Sequence, residues 1–152
     1  MDCGCLDKAK MLLAKTGSTC VLCGNDVILT DNRRGVRPLL DLLEGDTSVA
    51  GFAAADKVVG KAAAYLYCLL GIRALYAGVI SVPALEVLQT RSIPVEYHTL
   101  VSGIRNRTND GPCPMESAVL HIDTPEDALV AIQNTLAKLN AQVICQTKCN
   151  TF

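Results

Sequence analysis

The 152-residue chain lacks several features that whole classes of protein require. It has no tryptophan, and only 4% of its residues are aromatic, which leaves little surface on which nucleic-acid bases could stack. Fourteen basic residues against fifteen acidic ones give a net charge of −1 at pH 7, so there is no positive excess for a phosphate backbone. Half of the residues are hydrophobic, unlike in a disordered chain. We therefore expect a globular domain without a nucleic-acid partner.

Long hydrophobic runs are missing as well. The uncharged run from Ala62 to Ile72 covers 11 residues, which is too short to cross a bilayer. The next apolar stretch is interrupted by Gly78 and Pro83. The first residues, 1–7, do not form the apolar region of a secretory signal. We expect a protein that is located in the cytoplasm and has no membrane partner.

Cysteine, in contrast, is abundant, with eight residues. Six of them fall in close pairs: Cys3 with Cys5, Cys20 with Cys23, and Cys145 with Cys149. Without an export signal, reduced thiols are the first interpretation, and a metal or redox role is the second. Cys20-x-x-Cys23 resembles half of a zinc knuckle, but residues i and i+3 of a strand point to opposite faces. We therefore interpret Cys20 and Cys23 as core cysteines, and we expect no metal and no cofactor.

Hydrophobic periodicity predicts a chain of alternating helices and strands. Helices are predicted over 5–16, 36–43, 60–70, from residue 83 onward, over 114–116 and over 124–139. Strands are predicted over 19–23 and 26–30 (a β-hairpin), 49–55, 74–81 (fully buried) and 93–100. These elements predict an α/β fold, a three-layer α/β/α sandwich with a mixed sheet that begins with the hairpin, in a single domain over 1–152. An edge strand of the hairpin could support a homodimer.

Two short motifs place chemically active residues at predicted helix starts. In the first, Asp56 precedes Gly60-Lys61, where free backbone N–H groups and the ammonium could bind an anion. The segment is not a P-loop, because Ala55 and Ala62 stand where that motif requires Gly and Ser or Thr. The alternative interpretation is a turn that glycine permits, followed by a lysine that extends to solvent. Arg37, at the start of another helix, is a further candidate for anion contact.

The second motif is Cys113-Pro114-Met115-Glu116. A thiol just before a helix N-terminus lies at the positive end of the helix dipole, which suits a nucleophile or a ligand. Glu116 lies one turn further on, where it could cap the helix or act as an acid or base. The alternative is a half-buried cysteine in a turn, with an ordinary first-turn glutamate. The candidate catalytic residues are therefore Cys113 and Glu116, and the candidate ligand-binding residues are Asp56, Lys61 and Arg37.

Four segments, in this order along the chain, resemble a small prokaryotic family of unknown function with a cytidine-deaminase-like fold. They are Arg34–Leu43, Asp56–Ala64, Tyr76–Leu85 and Cys113–Glu116. The resemblance covers roughly residues 5–123, and the last helix with its cysteine-containing tail, 124–152, could be an addition.

The resemblance also implies what is missing. Zinc deaminases carry His/Cys-x-Glu at the start of one helix and Pro-Cys-x-x-Cys at the start of the next. When the predicted helices are matched in chain order, Lys61 and Ala63 occupy the positions of the first motif, and Ser81–Ala84 occupies the position of the second. The family's fold is therefore expected here without the zinc site.

The leading functional hypothesis is a zinc-independent site for a small anionic or nucleotide-like ligand. Lys61 would hold the anion, Cys113 would act as nucleophile or contact, and Asp56 and Glu116 would orient the ligand. Two alternatives stay open: a non-catalytic sensor or scaffold domain, and a zinc- or redox-active cysteine protein. The sequence leaves open whether the chain is an enzyme, which ligand it binds, and whether it forms a homodimer.

Overall fold

The computed structural model describes residues 3–24, 26–33, 35–105 and 113–150, without the side chains of Cys3 and of residues 140–150. The helices are α1 (Cys3–Thr16), α2 (Arg37–Glu44), α3 (Lys61–Leu70), α4 (Val82–Thr90), α5 (Pro114–Ala118) and α6 (Pro125–Asn150). The strands are β1 (Cys20–Gly24), β2 (Val27–Asp31), β3 (Ala53–Val59), β4 (Ala74–Ser81) and β5 (Val95–Val101). None of the described helices is both long enough and apolar enough to cross a membrane.

The five strands form one mixed sheet in the order β2-β1-β3-β4-β5. β1 pairs antiparallel with both β2 and β3, so that Cys20 lies opposite Asp31 on one side and opposite Asp56 on the other. β3, β4 and β5 run parallel, because α3 and α4 return the chain to the same end of the sheet. The predicted hairpin and the parallel βαβ unit are both confirmed.

The helices cover the two faces of the sheet unequally. On one face, α1 packs against β1 and β3 through a small apolar cluster that includes Ala9, Leu13, Val21 and Ala55. On the other face, α2, α3 and α4 enclose the larger core, and α6 packs against α3. The predicted three-layer α/β/α sandwich is therefore confirmed, with α1 as the one described helix on its face.

One predicted strand is displaced along the chain. The sequence predicted a strand over 49–55, but β3 begins four residues later and continues to the start of α3. Residues 49–52 form a turn, which is closed by a hydrogen bond of 3.0 Å from the Phe52 N–H to the Val49 carbonyl. The charge of Asp56 does not end the strand, because its carboxylate has a hydrogen-bond partner on α3.

β4 has the predicted bounds but is not fully buried. Ala77 and Ile80 are buried, whereas Tyr76 and Gly78 are partly exposed. The reason is that α1 lies mainly over β1 and β3 and covers little of β4. β4 therefore borders a groove of about 480 Å³ between α1 and the sheet.

Candidate functional site

The N-terminus of α3 lies where the central strand β3 ends, and a distant carboxylate caps it. Gly60 is the N-cap residue and has no side chain that could accept hydrogen bonds from the first turn. Glu116 takes this role: its Oε1 accepts from the Lys61 N–H at 2.8 Å, and its Oε2 accepts from the Ala62 N–H at 2.9 Å. The carboxylate also lies at the positive end of the helix dipole, which stabilises its charge. Glu116 therefore caps α3 and not its own helix.

Position 60 needs a glycine because Glu116 fills the space of a side chain there, and not because the backbone forms a turn. Its backbone is extended, with φ −96° and ψ 179°, so a larger residue could adopt the same conformation. A Cβ at this position, however, would lie 2.5 Å from Cδ of Glu116. The interpretation of Gly60 as a turn glycine is therefore wrong, because a neighbouring side chain fills the space.

The Lys61 side chain makes contacts of its own. Its Nζ donates to the Leu120 carbonyl at 3.1 Å and lies 5.8 Å from the centroid of the Tyr65 ring. The Tyr65 hydroxyl donates to the Ile122 carbonyl at 2.6 Å. Both side chains therefore hold the segment between α5 and α6 against α3.

Lys61 also lines a polar cleft of about 240 Å³ between α3 and α4. The other charged residues of this lining are Glu86, Arg91 and Asp123. Within the described ranges, the side chains of these three residues make no hydrogen bond or ion pair. Burial raises the pKa of Tyr65, which also lines the cleft, and the charge of Asp123 raises it further. The cleft therefore offers groups of both charges to a bound molecule.

Cys113 is the N-cap residue of α5, one turn before Glu116. Its N–H donates to the Ile104 carbonyl at 3.0 Å, and its own carbonyl accepts from the Ser117 N–H at 3.0 Å. The thiol is half-buried, packs against the larger core and makes no cap hydrogen bond. Glu116, the predicted acid or base, has both carboxylate oxygens engaged by α3. The structure therefore shows no group that would activate the thiol among the described neighbours.

Asp56 belongs to a separate hydrogen-bonded cluster. The Tyr67 hydroxyl donates to Oδ2 of Asp56 at 2.7 Å, and Sγ of Cys20 lies 3.2 Å from the same hydroxyl oxygen. Because the single hydrogen of Tyr67 is directed to Asp56, the Cys20 thiol is the donor to Tyr67. Oδ1 of Asp56 accepts from the Val58 N–H at 3.2 Å.

Burial dominates the electrostatics of this cluster. It raises the pKa of Asp56 to about 6, although hydrogen bonds from Tyr67 and from backbone N–H groups act in the opposite direction. Burial, with the Asp56 charge beside it, also raises the pKa values of Tyr67 and Cys20 well above their ordinary range. Cys20 is therefore a neutral, unreactive thiol, whereas Asp56 changes its protonation close to neutral pH.

The structure brings together three of the five predicted site residues. Lys61 and Glu116 are in contact, and Cys113 lies in the same turn region as Glu116. Asp56 is bound to Tyr67 instead, and Arg37 is the first residue of α2.

The local sequence pattern did not reveal every residue that the structure places in these clusters. It did not identify Tyr67 as the partner of Asp56, although a buried tyrosine hydroxyl needs a hydrogen-bond partner and was the available signal. Arg91 and Asp123 carried no comparable signal, because they lie at the end of α4 and in the segment between α5 and α6. Only helix packing places them beside Lys61.

The cysteines of β1 lie as their spacing predicts. Cys20 belongs to the larger core and Cys23 to the cluster under α1, so the two thiols face opposite sides of the sheet. No group of three or more His, Cys, Asp or Glu side chains in the described part of the chain could hold a metal ion. The side chains of Cys3, Cys145 and Cys149, together with Arg34 and residues 106–112, lie outside that part.

The positions where the resemblance would place zinc ligands have other roles in this structure. Lys61 presents an ammonium that already donates to a carbonyl, and Ala63 has no donor atom. Ser81 is fully buried and caps α4 by accepting a hydrogen bond of 3.2 Å from the Ala84 N–H. These residues do not fit a zinc ion, which takes thiolate, imidazole or carboxylate ligands.

Comparison with known proteins agrees with this fold. No curated protein matches the chain. A crystal structure of a DUF1893 family protein (TM1506) from Thermotoga maritima is 25% identical, with 91% of this chain and 92% of that chain covered and a TM-score of 0.80. A weaker similarity is to a crystal structure of dCMP deaminase from the cyanophage S-TIM5 in its apo form. It is 13% identical, with 62% of this chain and 94% of that chain covered and a TM-score of 0.42. The family model for TM1506, a domain of unknown function (DUF1893), matches residues 8–136. This match spans most of the chain, which confirms the resemblance to a family of unknown function: the protein belongs to the DUF1893 family.

Proposed function

We propose that this chain binds a small anionic, nucleotide-like molecule without zinc, in the cleft between α3 and α4. The observation that supports the proposal is the charge arrangement of the cleft. Lys61 and Arg91 contribute two cations, and Glu86 and Asp123 contribute two carboxylates. A mononucleotide matches this arrangement, because its phosphate would pair with the cations and the N–H groups of its base would donate to the carboxylates.

The size of the cleft restricts the ligand. Its volume of about 240 Å³ lies below the roughly 300–1,000 Å³ that is typical of pockets for drug-sized molecules. A mononucleotide or a smaller anion is therefore a better match than a dinucleotide cofactor. Pro83 and Val87 add apolar surface against which a ring could pack.

Cys113-dependent chemistry is a further part of the proposal. Cys113 lies one turn before Glu116, which contacts the first residue of α3, and the side chain of that residue lines the cleft. A bound molecule that extends past Lys61 would approach this corner. Asp56 and Arg37 are not part of the cleft lining, so the proposal gives them no direct ligand contact. A Cys113→Ser variant that binds a nucleotide but no longer converts it would support a catalytic thiol.

A thermal-shift experiment with defined probes tests the binding site. The four nucleoside 5′-monophosphates and inorganic phosphate are added separately to the full chain, and to Lys61→Ala and Arg91→Ala. Saturation at 100 times Kd stabilises a protein by about 2.7 kcal/mol, so a clear rise in Tm is expected for the wild type. Both variants should lose this rise.

Lys57→Ala is the matched control, because Lys57 is an exposed lysine that does not line the cleft. It removes the same charge as Lys61→Ala and should keep the ligand-induced rise. A rise that is equally lost in Lys57→Ala, or that survives in Lys61→Ala, would contradict the proposed site.

A non-catalytic sensor or scaffold domain is the second candidate function, and one observation favours it. The N–H groups at the start of α3 already bind Glu116, and Lys61 Nζ already donates to a carbonyl, so internal contacts use much of the site. Native mass spectrometry of the purified chain distinguishes the candidates. A retained organic adduct that is absent from Lys61→Ala supports ligand binding. A bare mass combined with no response to any probe supports the scaffold, and bound zinc that a chelator removes supports the cysteine alternative.

We also propose a cytoplasmic location. The five cysteines whose side chains the structure describes are all free thiols. Reduced cysteines are typical of cytosolic proteins, which supports this location.

A further inference from the structure

Two cysteines from different elements meet on the face of the sheet that α1 covers. Cys5, near the start of α1, packs against the apolar cluster that contains Cys23 of β1. Cys5 helps to raise the pKa of Cys23, and both cysteines are free thiols. Their contact could not be read from spacing, because the sequence pairs Cys5 with Cys3 and Cys23 with Cys20. It lies on the opposite face of the sheet from α3 and the proposed ligand cleft.

We propose that Cys5 and Cys23 form a reversible disulfide, which makes the start of α1 a redox modification site. Both side chains belong to the same small cluster between α1 and β1, so a local adjustment at the start of α1 would bring the two sulfur atoms to the bond length of about 2.0 Å. Cys20 cannot compete for Cys23, because it belongs to the core on the other face of the sheet.

A small disulfide, such as oxidised glutathione, supplies the oxidising equivalents. Cys5 is partly exposed and Cys23 is buried, so the Cys5 thiolate attacks first, forms a mixed disulfide and releases one small thiolate. Cys23 then gives its proton to solvent, and its thiolate attacks the Cys5 sulfur and releases the second small thiolate. One small disulfide and two protein thiols thus become one protein disulfide and two small thiols.

The surroundings of Cys23 control the second step. Burial raises the pKa of Cys23, as do Cys5 and the charge of Asp26, whereas Lys8 lowers it. Because only the thiolate attacks a disulfide, this step is slow at neutral pH and becomes faster as the pH rises. The mixed disulfide at Cys5 should therefore appear before the internal bond.

The bond would join α1 covalently to the sheet. α1 is the one described helix on its face, and it contacts β1 and β3 through a small apolar cluster. A disulfide between Cys5 and Cys23 would close the loop from α1 to β1 and restrict the unfolded chain. For a chain of 152 residues, this stabilisation should raise Tm by about 6–12 °C. The redox state would thereby set how firmly α1 is held.

Peptide mapping of the full chain tests the proposal. The chain is incubated with oxidised glutathione at pH 7 to 9, its remaining thiols are blocked with N-ethylmaleimide, and it is digested with trypsin. Cleavage after Lys8, Lys15 and Arg33 places Cys5 in peptide 1–8 and Cys23 in peptide 16–33. We expect these two peptides to be cross-linked and to separate on reduction. A wild-type chain that carries only the mixed disulfide across this pH range would overturn the proposal.

Variants are needed because the two peptides also contain Cys3 and Cys20. Cys3→Ser and Cys20→Ser should each keep the cross-link, and Cys3→Ser combined with Cys5→Ser should lose it. Loss of the cross-link in either single variant would assign the bond to another cysteine and overturn the proposal. Because Cys23 is buried, Cys23→Ala and Cys23→Ser are compared, and circular dichroism shows which of them is folded. The folded variant should lose both the cross-link and the rise in Tm on oxidation.

Discussion

Gly60 and Glu116 share a space that holds only one side chain: a Cβ on Gly60 would lie 2.5 Å from Cδ of Glu116. The carboxylate in that space binds the first two N–H groups of α3, at 2.8 and 2.9 Å. The missing side chain and the carboxylate are therefore parts of the same cap. This contact also joins the Gly60-Lys61 motif to the Cys113–Glu116 motif.

Removal of the Glu116 carboxylate should destabilise the fold. Glu116→Ala leaves two N–H groups at the start of α3 without their partner, which should cost about 1–2 kcal/mol of unfolding free energy. Glu116→Gln keeps one acceptor oxygen and should cost less. Urea denaturation measures both effects. Glu86→Ala is the control, since Glu86 is exposed and its carboxylate accepts no hydrogen bond within the described part of the chain. An equal loss in this variant would contradict the capping role.

A methyl group at Gly60 should destabilise the protein through Glu116 and not through the backbone. The φ of −96° suits alanine, so Gly60→Ala should cost about 1–3 kcal/mol only because it displaces the carboxylate. In the double variant with Glu116→Ala, the methyl group meets empty space. The loss of unfolding free energy in the double variant should therefore be smaller than the sum of the two single-variant losses. A double-mutant cycle by urea denaturation measures this coupling. Fully additive losses would show that the two residues do not interact.

The Asp56 carboxyl should give the stability of the protein a distinctive pH dependence. Its pKa rises from 3.8 to about 6 on folding, so the folded chain holds this proton more tightly than the unfolded chain. The resulting stability is fully present below the unfolded pKa and is lost as the pH rises through about 6. Between pH 4 and pH 8, the wild type should therefore lose about 2–3 kcal/mol relative to Asp56→Asn.

Denaturation curves at several pH values measure this difference. Asp46→Asn is the control, because Asp46 is exposed. A wild type that gains stability relative to Asp56→Asn as the pH rises would reverse the predicted sign and contradict the assignment.

The Tyr67 hydroxyl should matter more for the protonation of Asp56 than for packing. Tyr67→Phe keeps the ring but removes the shared partner of Asp56 and Cys20, which should cost about 1–3 kcal/mol. Because the Tyr67 hydrogen bond lowers the pKa of Asp56, this pKa should rise further in the variant. Carboxyl NMR titration measures the shift. Tyr65→Phe, which breaks a hydrogen bond to Ile122 instead, should leave the pKa of Asp56 unchanged.

The elements of the fold could largely be predicted because their signals are local. The segment 74–81 coincides with β4, since an apolar run lies between a glycine-containing turn and Pro83. The prediction of a strand over 49–55 was wrong at both ends, because residues 49–52 form a turn and β3 continues past the charge of Asp56 to Val59. Its partner on α3 satisfies that carboxylate inside the strand, and no local pattern shows this.

By itself, the sequence determined the mixed α/β sandwich, the leading hairpin and the helix starts at Lys61 and Pro114, because periodicity, capping and turn residues act over a few positions. Only the tertiary structure decided which groups meet: Glu116 with α3, Tyr67 with Asp56, and Cys5 with Cys23. These partners lie up to 55 residues apart, and their contacts depend on strand register and on how each helix packs over the sheet. Such contacts arise from the packing of whole elements, which the local sequence pattern does not specify.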